Sequence, residues 1–200
     1  MVEPLAGIMG HAGAWGDVNG DLAPDLFVGT FANRPLEVYQ VRGADGPRPD
    51  RVFLSDGAGF ADIGMEAALG RTSGAAFADL DLDGDPDLVL AHNPQPGRER
   101  GDAPSTIYRN DGGTMVEVSD AGLDPVMGAR SIGVLHIDGD GLLDLVVLED
   151  RWTGASSKVY RNLGDLRFED AGAAWGFPAD VHGLGVATGD LDGDGLTDIV

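Results

Sequence analysis

Aspartate residues cluster in four short segments of this 200-residue chain. The densest segment reads DLDLDGDPDLV and begins at Asp79. Two carboxylates about 4 Å apart repel each other by roughly 4 kcal/mol at an effective dielectric constant near 20. A loop that holds several carboxylates together therefore needs a counter-charge, or it must stay open to solvent.

The four segments share one spacing. They begin at residues 17, 79, 136 and 190, acids or Asn recur at positions 1, 3, 5 and 9, and an apolar run starts at position 10. In a tight loop the side chains at positions 1, 3 and 5 converge, and a carbonyl near position 7 with the Asp at position 9 can close the shell. Ca²⁺ accepts about 6–8 oxygen ligands in a flexible geometry, which suits such a loop.

We therefore predict Ca²⁺ sites in these four acidic loops, numbered one to four in chain order. The predicted ligands are Asp17, Asn19, Asp21 and Asp25 in the first loop; Asp79, Asp81, Asp83 and Asp87 in the second; Asp138, Asp140 and Asp144 in the third; and Asp190, Asp192, Asp194 and Asp198 in the fourth.

Other interpretations of the loops are weaker. Mg²⁺ demands a tighter octahedron and keeps its waters, and Zn²⁺ prefers the His or Cys that three loops lack. An EF-hand needs a bidentate Glu at position 12 and flanking helices, but position 12 is Val28 in the first loop and Leu90 in the second. Simple Asp/Gly turns are the remaining alternative, and a shared register in four loops disfavours it.

The third loop departs from the pattern because His136 stands at position 1. Imidazole is a poor ligand for Ca²⁺, which prefers oxygen. We expect this site to be weak or empty and its loop to be held by hydrogen bonds instead.

The overall composition excludes several classes of partner. With 34 acidic and 13 basic residues and a net charge of −21, the chain has no basic stripe for nucleic acid or an anionic membrane. It has no cysteine for a disulfide or a thiolate metal site. No apolar run is long enough to span a bilayer, so no membrane insertion is expected, and no signal peptide is visible in this chain.

A second motif recurs between the acidic loops. It has an aromatic residue (Phe53, Tyr108 or Tyr160), a polar pair, a glycine turn and another apolar strand, which predicts a β-hairpin. Each unit then has four short strands, as a β-propeller blade does; a stacked solenoid is the alternative, but its repeats are usually shorter. We predict an all-β partial propeller over residues 1–200. Its repeats lie at about 8–68, 69–123, 124–177 and, truncated, 178–200.

These motifs resemble a known family. GAWGDVNGDLAPDLFVG and VYRNLGDLRFEDAGAAWGF are similar to the FG-GAP/VCBS repeats of integrin α-like propellers, and especially to the cartilage acidic protein/ASPIC–UnbV branch. The resemblance implies a seven-bladed propeller, Ca²⁺ in the hairpin between the first two strands of a blade, and an extracellular or periplasmic setting. Three units and the start of a fourth do not close such a ring, so we expect a fragment of a longer propeller.

Variation in length concentrates in one connection of each unit: residues 30–49, 91–104 and 149–156. These connections carry basic and aromatic side chains that could form one ligand-binding face, namely Arg34, Tyr39, Arg42, Arg98, Arg100, Arg151 and Trp152. The alternative is that they are solvated loops without a binding role. We predict a non-catalytic module that binds a protein or carbohydrate ligand there. The alternative is a lyase-like propeller enzyme acting on polysaccharide. A cleft with His92 or His182 beside a free carboxylate and an Arg would favour the enzyme.

Overall fold

The computed structural model describes residues 8–65, 67, 69–94, 101–149, 156–194 and 197–200. Within them the regular secondary structure is almost entirely β-strand. The strands are β1 Gly10–Gly16, β2 Asp25–Thr30, β3 Arg51–Ser55, β4 Phe60–Asp62, β5 Thr72–Ala78, β6 Asp87–His92, β7 Thr106–Asn110, β8 Met115–Glu117, β9 Ala129–Leu135, β10 Asp144–Glu149, β11 Lys158–Asn162, β12 Phe168–Asp170, β13 Thr188–Gly189 and β14 Asp198–Ile199, and the helix α1 is Leu36–Gln40. In the described part, no helix is both long and apolar enough to cross a membrane.

The strands form three four-stranded antiparallel sheets and one two-stranded sheet, each in chain order. We call them blade 1 (β1–β4), blade 2 (β5–β8), blade 3 (β9–β12) and blade 4 (β13–β14). The first strands of successive blades contact each other: β1 lies against β5, β5 against β9, and β9 against β13. This arrangement confirms the predicted all-β propeller of four-stranded blades, whereas the seven-bladed parent stays a prediction.

The second strands explain why the acidic loops run into uninterrupted apolar segments. Every residue of β6 and of β10 is buried. Leu88 and Leu90 pack in the core between blades 1 and 2, whereas Val89 and Ala91 pack in the core between blades 2 and 3. Because both faces of a central blade strand are covered, its sequence reads as a continuous hydrophobic run. Each buried valine or leucine side chain contributes about 1.5–3 kcal/mol by leaving water.

Small residues allow the first strands to approach one another. A Cβ atom built on Gly74 would lie 2.8 Å from the carbonyl oxygen of Arg130 in the next blade. A Cβ on Gly133 would lie 2.7 Å from Val146 Cγ1 and 2.9 Å from Thr188 Cγ2. These positions leave no room for a side chain, so glycine on the inner strands sets the distance between blades.

The first variable connection contains the short helix α1, which the sequence did not predict. The Tyr39 side chain on this helix is buried. Its hydroxyl donates to the Phe31 carbonyl (2.7 Å) and accepts from the Arg34 N–H (3.0 Å). The prediction that Tyr39 is a displayed anchor is therefore wrong, because its side chain is only 1% exposed. Four of the other predicted face residues lie outside the described residues: Arg98, Arg100, Arg151 and Trp152.

Candidate metal loops

Each acidic loop joins the first and second strands of its blade, as the resemblance implied. Residues 17–24 link β1 to β2, 79–86 link β5 to β6, 136–143 link β9 to β10, and 190–197 link β13 to β14. All four loops therefore lie at the same end of the second strands, and the variable connections follow from the other end.

Left-handed backbone shapes the loops at positions 4 and 6. In the second loop these are Leu82, with φ 63°, and Gly84, with φ 99°. In the first loop they are Gly20, with φ 73°, and Leu22, with φ 68°. A non-glycine residue in this region costs about 1–2 kcal/mol, so the two leucines accept strain that the loop's curvature requires.

The acidic side chains also hold their own turns. In the second loop, Asp81 Oδ1 accepts from the Asp83 N–H at 3.3 Å and Asp83 Oδ1 accepts from the Asp85 N–H at 2.9 Å. Asp79 Oδ2 accepts from the Gly84 N–H at 3.2 Å. Each of these bonds uses one carboxylate oxygen and leaves the second oxygen for another partner, so turn formation and metal binding are compatible here.

Two groups of carboxylates converge. One oxygen from each of Asp79, Asp81 and Asp87 lies within 4.8 Å of the others, and the same holds for Asp190, Asp192 and Asp194. Of the predicted ligands of these two loops, the structure places Asp83 and Asp198 outside the groups. Among the described residues, the first and third loops form no group of this kind.

The second loop fits a hard cation on its own chemistry. Asp79 Oδ1 is buried and has no hydrogen-bond partner among the described residues. Burial, and then the negative charge of Asp83, raise the pKa of Asp81. A buried oxygen without a donor and a carboxylate beside like charges are both unfavourable, and a cation bound by oxygen ligands would relieve both.

The aspartate at position 9 has a structural role that the sequence did not reveal. Asp87 is fully buried; its Oδ2 accepts from the Leu80 N–H at 3.1 Å, and its Oδ1 accepts from the Asn110 N–H at 3.0 Å. Burial raises the pKa of Asp87 to about 6. This carboxylate ties the acidic loop to the third strand of its own blade.

The same two bonds recur in the neighbouring blades. Asp25 accepts from the N–H groups of Val18 (2.8 Å) and Ser55 (2.7 Å). Asp144 accepts from those of Ile137 and Asn162, both at 2.9 Å. In blade 4, Asp198 accepts from the Leu191 N–H at 2.8 Å. The aspartate at position 9 thus bonds to its own acidic loop in all four blades and to the third strand in blades 1 to 3, whether or not it also binds a metal.

Two asparagines at the ends of third strands connect one blade to the one before it. Asn110 Nδ2 donates to the Val18 carbonyl in the first loop, and Asn162 Nδ2 donates to the Leu80 carbonyl in the second, both at 2.8 Å. Both side chains are fully buried. From the sequence, only a polar pair after the hairpin aromatic was predicted; the YRN triplet that recurs at residues 108–110 and 160–162 is the pattern that could have indicated these asparagines.

These bonds form a continuous chain through the blades, which we call the Asn belt. It runs through the loop residue at position 2, the aspartate at position 9 and the asparagine of the next blade. Its members are Val18, Asn110, Asp87, Leu80, Asn162, Asp144 and Ile137. The acidic loops are therefore part of the contact between blades.

The third loop has a different interior. The His136 Nδ1 atom lies 2.8 Å from the Leu142 carbonyl oxygen, at position 7. The Arg161 guanidinium lies 2.7 Å from Asp138 Oδ2, measured from Nε, and 3.5 Å from Asp140 Oδ2, measured from Nη2. Its metal occupancy stays a prediction.

Among the described residues, neither His92 nor His182 lies beside a free carboxylate and an arginine, the arrangement that would favour an enzyme. His92 is 2% exposed, and its Nε2 lies 3.5 Å from Asp50 Oδ2. Asp50 already accepts from the Thr30 N–H (2.7 Å) and the Thr72 hydroxyl (2.5 Å), so its carboxylate is not free. His182 is exposed and has no ion pair within the described part of the chain.

Comparison with known proteins identifies the repeat. A family model for the FG-GAP-like repeat matches residues 79–147 and 136–200, which together make up more than half of the chain. No curated protein matches the chain significantly.

Proposed function

Because this chain belongs to the FG-GAP-like repeat family, we propose that it is a non-catalytic, calcium-stabilised module of a propeller of the extracellular type. The repeat and the blades support the propeller. The calcium role rests on one observation above all: the three converging carboxylates of the second loop, with a buried oxygen that has no hydrogen-bond partner in the described part of the chain. The narrower ASPIC–UnbV relationship stays a prediction.

Asp79, Asp81 and Asp87 would hold the ion in the second loop, and Asp190, Asp192 and Asp194 would hold it in the fourth. The ion would supply positive charge and extra oxygen coordination, without redox chemistry. Around it, Asp87 keeps the loop attached to β7 through the Asn110 N–H. Since a site of this kind does not preform in an unfolded chain, its binding free energy becomes folding stability.

Calcium should raise the melting temperature. A loop at free Ca²⁺ 100-fold above its Kd gains about 2.7 kcal/mol, which corresponds to about 5–10 °C for a protein of this size. Asp81→Asn should remove the contribution of the second loop, whereas Asp45→Asn, the same change at an exposed aspartate of the first connection, should leave it intact. Scanning calorimetry in calcium and in chelator measures this shift in melting temperature for wild type and for each variant. A wild-type protein indifferent to calcium would refute the role.

We propose that the face of the variable connections binds the protein or carbohydrate ligand, and that the ligand is anionic. The His11 ring stacks on Phe31 at 4.3 Å, and the guanidinium groups of Arg71 and Arg34 lie 4.3 and 5.3 Å from the centre of the same ring. Burial, then the charges of Arg130, Arg71 and Arg34, lower the pKa of His11. In a chain of net charge −21 this gathering of cations is a local positive region.

A binding experiment tests the ligand face. Hyaluronan hexasaccharide and hexaglutamate serve as carboxylate-bearing carbohydrate and peptide probes, each titrated while NMR records the His11 ring signals. Arg34→Ala should weaken the favoured probe about tenfold, the size expected for one lost charge-assisted bond. Arg48→Ala, at an exposed arginine of the same connection that is not among the predicted face residues, is the control. Equal losses in both variants would point to general charge attraction and not to a site.

A further inference from the structure

The third acidic loop contains a cation that the protein itself supplies. The guanidinium of Arg161, on β11, lies 2.7 Å from Asp138 Oδ2 and 3.5 Å from Asp140 Oδ2. These carboxylates occupy positions 3 and 5, two of the predicted metal-ligand positions of the repeat. The two carboxylates therefore have a counter-charge without any ion from solution.

The remaining predicted ligands of this loop are also engaged. Position 1 is His136, whose ring contacts the position 7 carbonyl of Leu142 at 2.8 Å. Position 9 is Asp144, whose two oxygens accept backbone N–H groups at 2.9 Å each. With the carbonyl and the three carboxylates all in use, the loop holds its shape through contacts within the chain.

Blade 2 has an arginine at the same position, but it points elsewhere. Arg109, on β7, forms two contacts with the Asp111 carboxylate, at 2.7 and 2.8 Å. The residue that corresponds to Asp111 in blade 3 is Leu163, which has no charge to offer. The two blades thus differ in whether a carboxylate stands two residues after the arginine.

We propose that Arg161 takes the place of the divalent ion in the third loop, and that Asp111 keeps Arg109 from doing the same in the second. The part about the second loop rests on the proposed calcium function, whereas the part about Arg161 does not. Blade 3 then keeps its hairpin formed when calcium is scarce, and the blades differ in their need for metal.

Paired variants of the full chain test the role of Arg161 in the presence of chelator. Arg161→Leu leaves Asp138 and Asp140 without a counter-charge, and we expect a fall in melting temperature of about 3–6 °C. Arg109→Leu removes only an exposed ion pair, for which we expect a fall of less than about 2 °C. Equal melting temperatures for Arg161→Leu and wild type would overturn the proposal.

Calcium titration calorimetry tests the exchange of arginine for metal. The double variant His136→Asp/Arg161→Leu should bind one more Ca²⁺ per chain than wild type, and Asp111→Leu should weaken the second loop about tenfold or more by releasing Arg109. An unchanged calcium stoichiometry in the double variant, or an unchanged calcium affinity in Asp111→Leu, would count against the proposed exchange. If wild type binds no calcium at all, the proposed function fails, and the chelator experiment still decides the role of Arg161.

Discussion

Asp87→Ala should lower the free energy of unfolding by about 3–5 kcal/mol, even in chelator. The substitution leaves the N–H groups of Leu80 and Asn110 without their acceptor, and each buried donor left unpaired costs about 1–3 kcal/mol. The Asn110 strand end also loses its tie to the loop. We expect no comparable loss at position 5, because Asp83 is exposed and, among the described residues, its carboxylate bonds only within its own turn.

Urea denaturation in chelator measures this difference. Asp83→Ala is the matched control, and we expect it to change stability by no more than about 0.5 kcal/mol. Asp87→Asn is a second variant: its carboxamide keeps one acceptor oxygen but presents an N–H₂ group to a backbone donor, so it should be intermediate. Similar small losses of unfolding free energy for Asp87→Ala and Asp83→Ala would show that the aspartate at position 9 does not stabilise the attachment of the loop to the third strand.

Asn162→Ala should cost about 2–4 kcal/mol because it breaks the Asn belt between blades 2 and 3. The carboxamide donates to the Leu80 and Leu143 carbonyls, at 2.8 and 3.0 Å, and accepts from the Gly164 N–H at 2.9 Å. Since the residue is fully buried, water does not replace these bonds, and truncation leaves both unpaired groups and a void.

The stability of Asn162→Ala is best compared with that of Asn19→Ala in chelator. Asn19 is exposed. In the described part of the chain its side chain bonds only to Asp21, donating to the carboxylate at 3.0 Å and accepting from the N–H at 3.1 Å, so its loss should cost about 0.5 kcal/mol or less. Limited proteolysis between residues 111 and 129 adds a local readout, because a broken belt should expose the link between the blades. Equal urea midpoints for the two variants would contradict the role assigned to the belt.

The repeat itself explains why the architecture was predictable. Four loops in one register and three aromatic hairpins locate the strands from the sequence alone. The continuous apolar run from Leu88 to Ala91 is typical of a strand covered on both faces, and these residues pack in two cores. The contacts of Asn110 and Asn162 were not predictable in the same way, because their partners lie 92 and 82 residues away.

The residues of the candidate metal site were predictable, but which of them are exposed and which are buried and hydrogen-bonded was not. Spacing alone does not distinguish Asp83, which is exposed, from Asp87, which is buried and bonded on both oxygens. The same limit applies to Arg161, whose direction depends on a neighbour two residues away. Tyr39 was misjudged because the folding of α1 against the sheet, and not the composition of the connection, decides its exposure.

The Asn belt has a direction, and this sets an order of assembly on the ribosome. Asn110 and Asn162 each donate to a carbonyl in a blade synthesised earlier, so that carbonyl acquires this donor only when the next blade emerges. For Val18 that donor is 92 residues downstream, a delay of about 5–20 s at ordinary translation speeds. During this interval the carbonyl at position 2 of the newest blade's acidic loop lacks its asparagine donor. We expect nascent-chain chaperones to bind the newest blade at this loop.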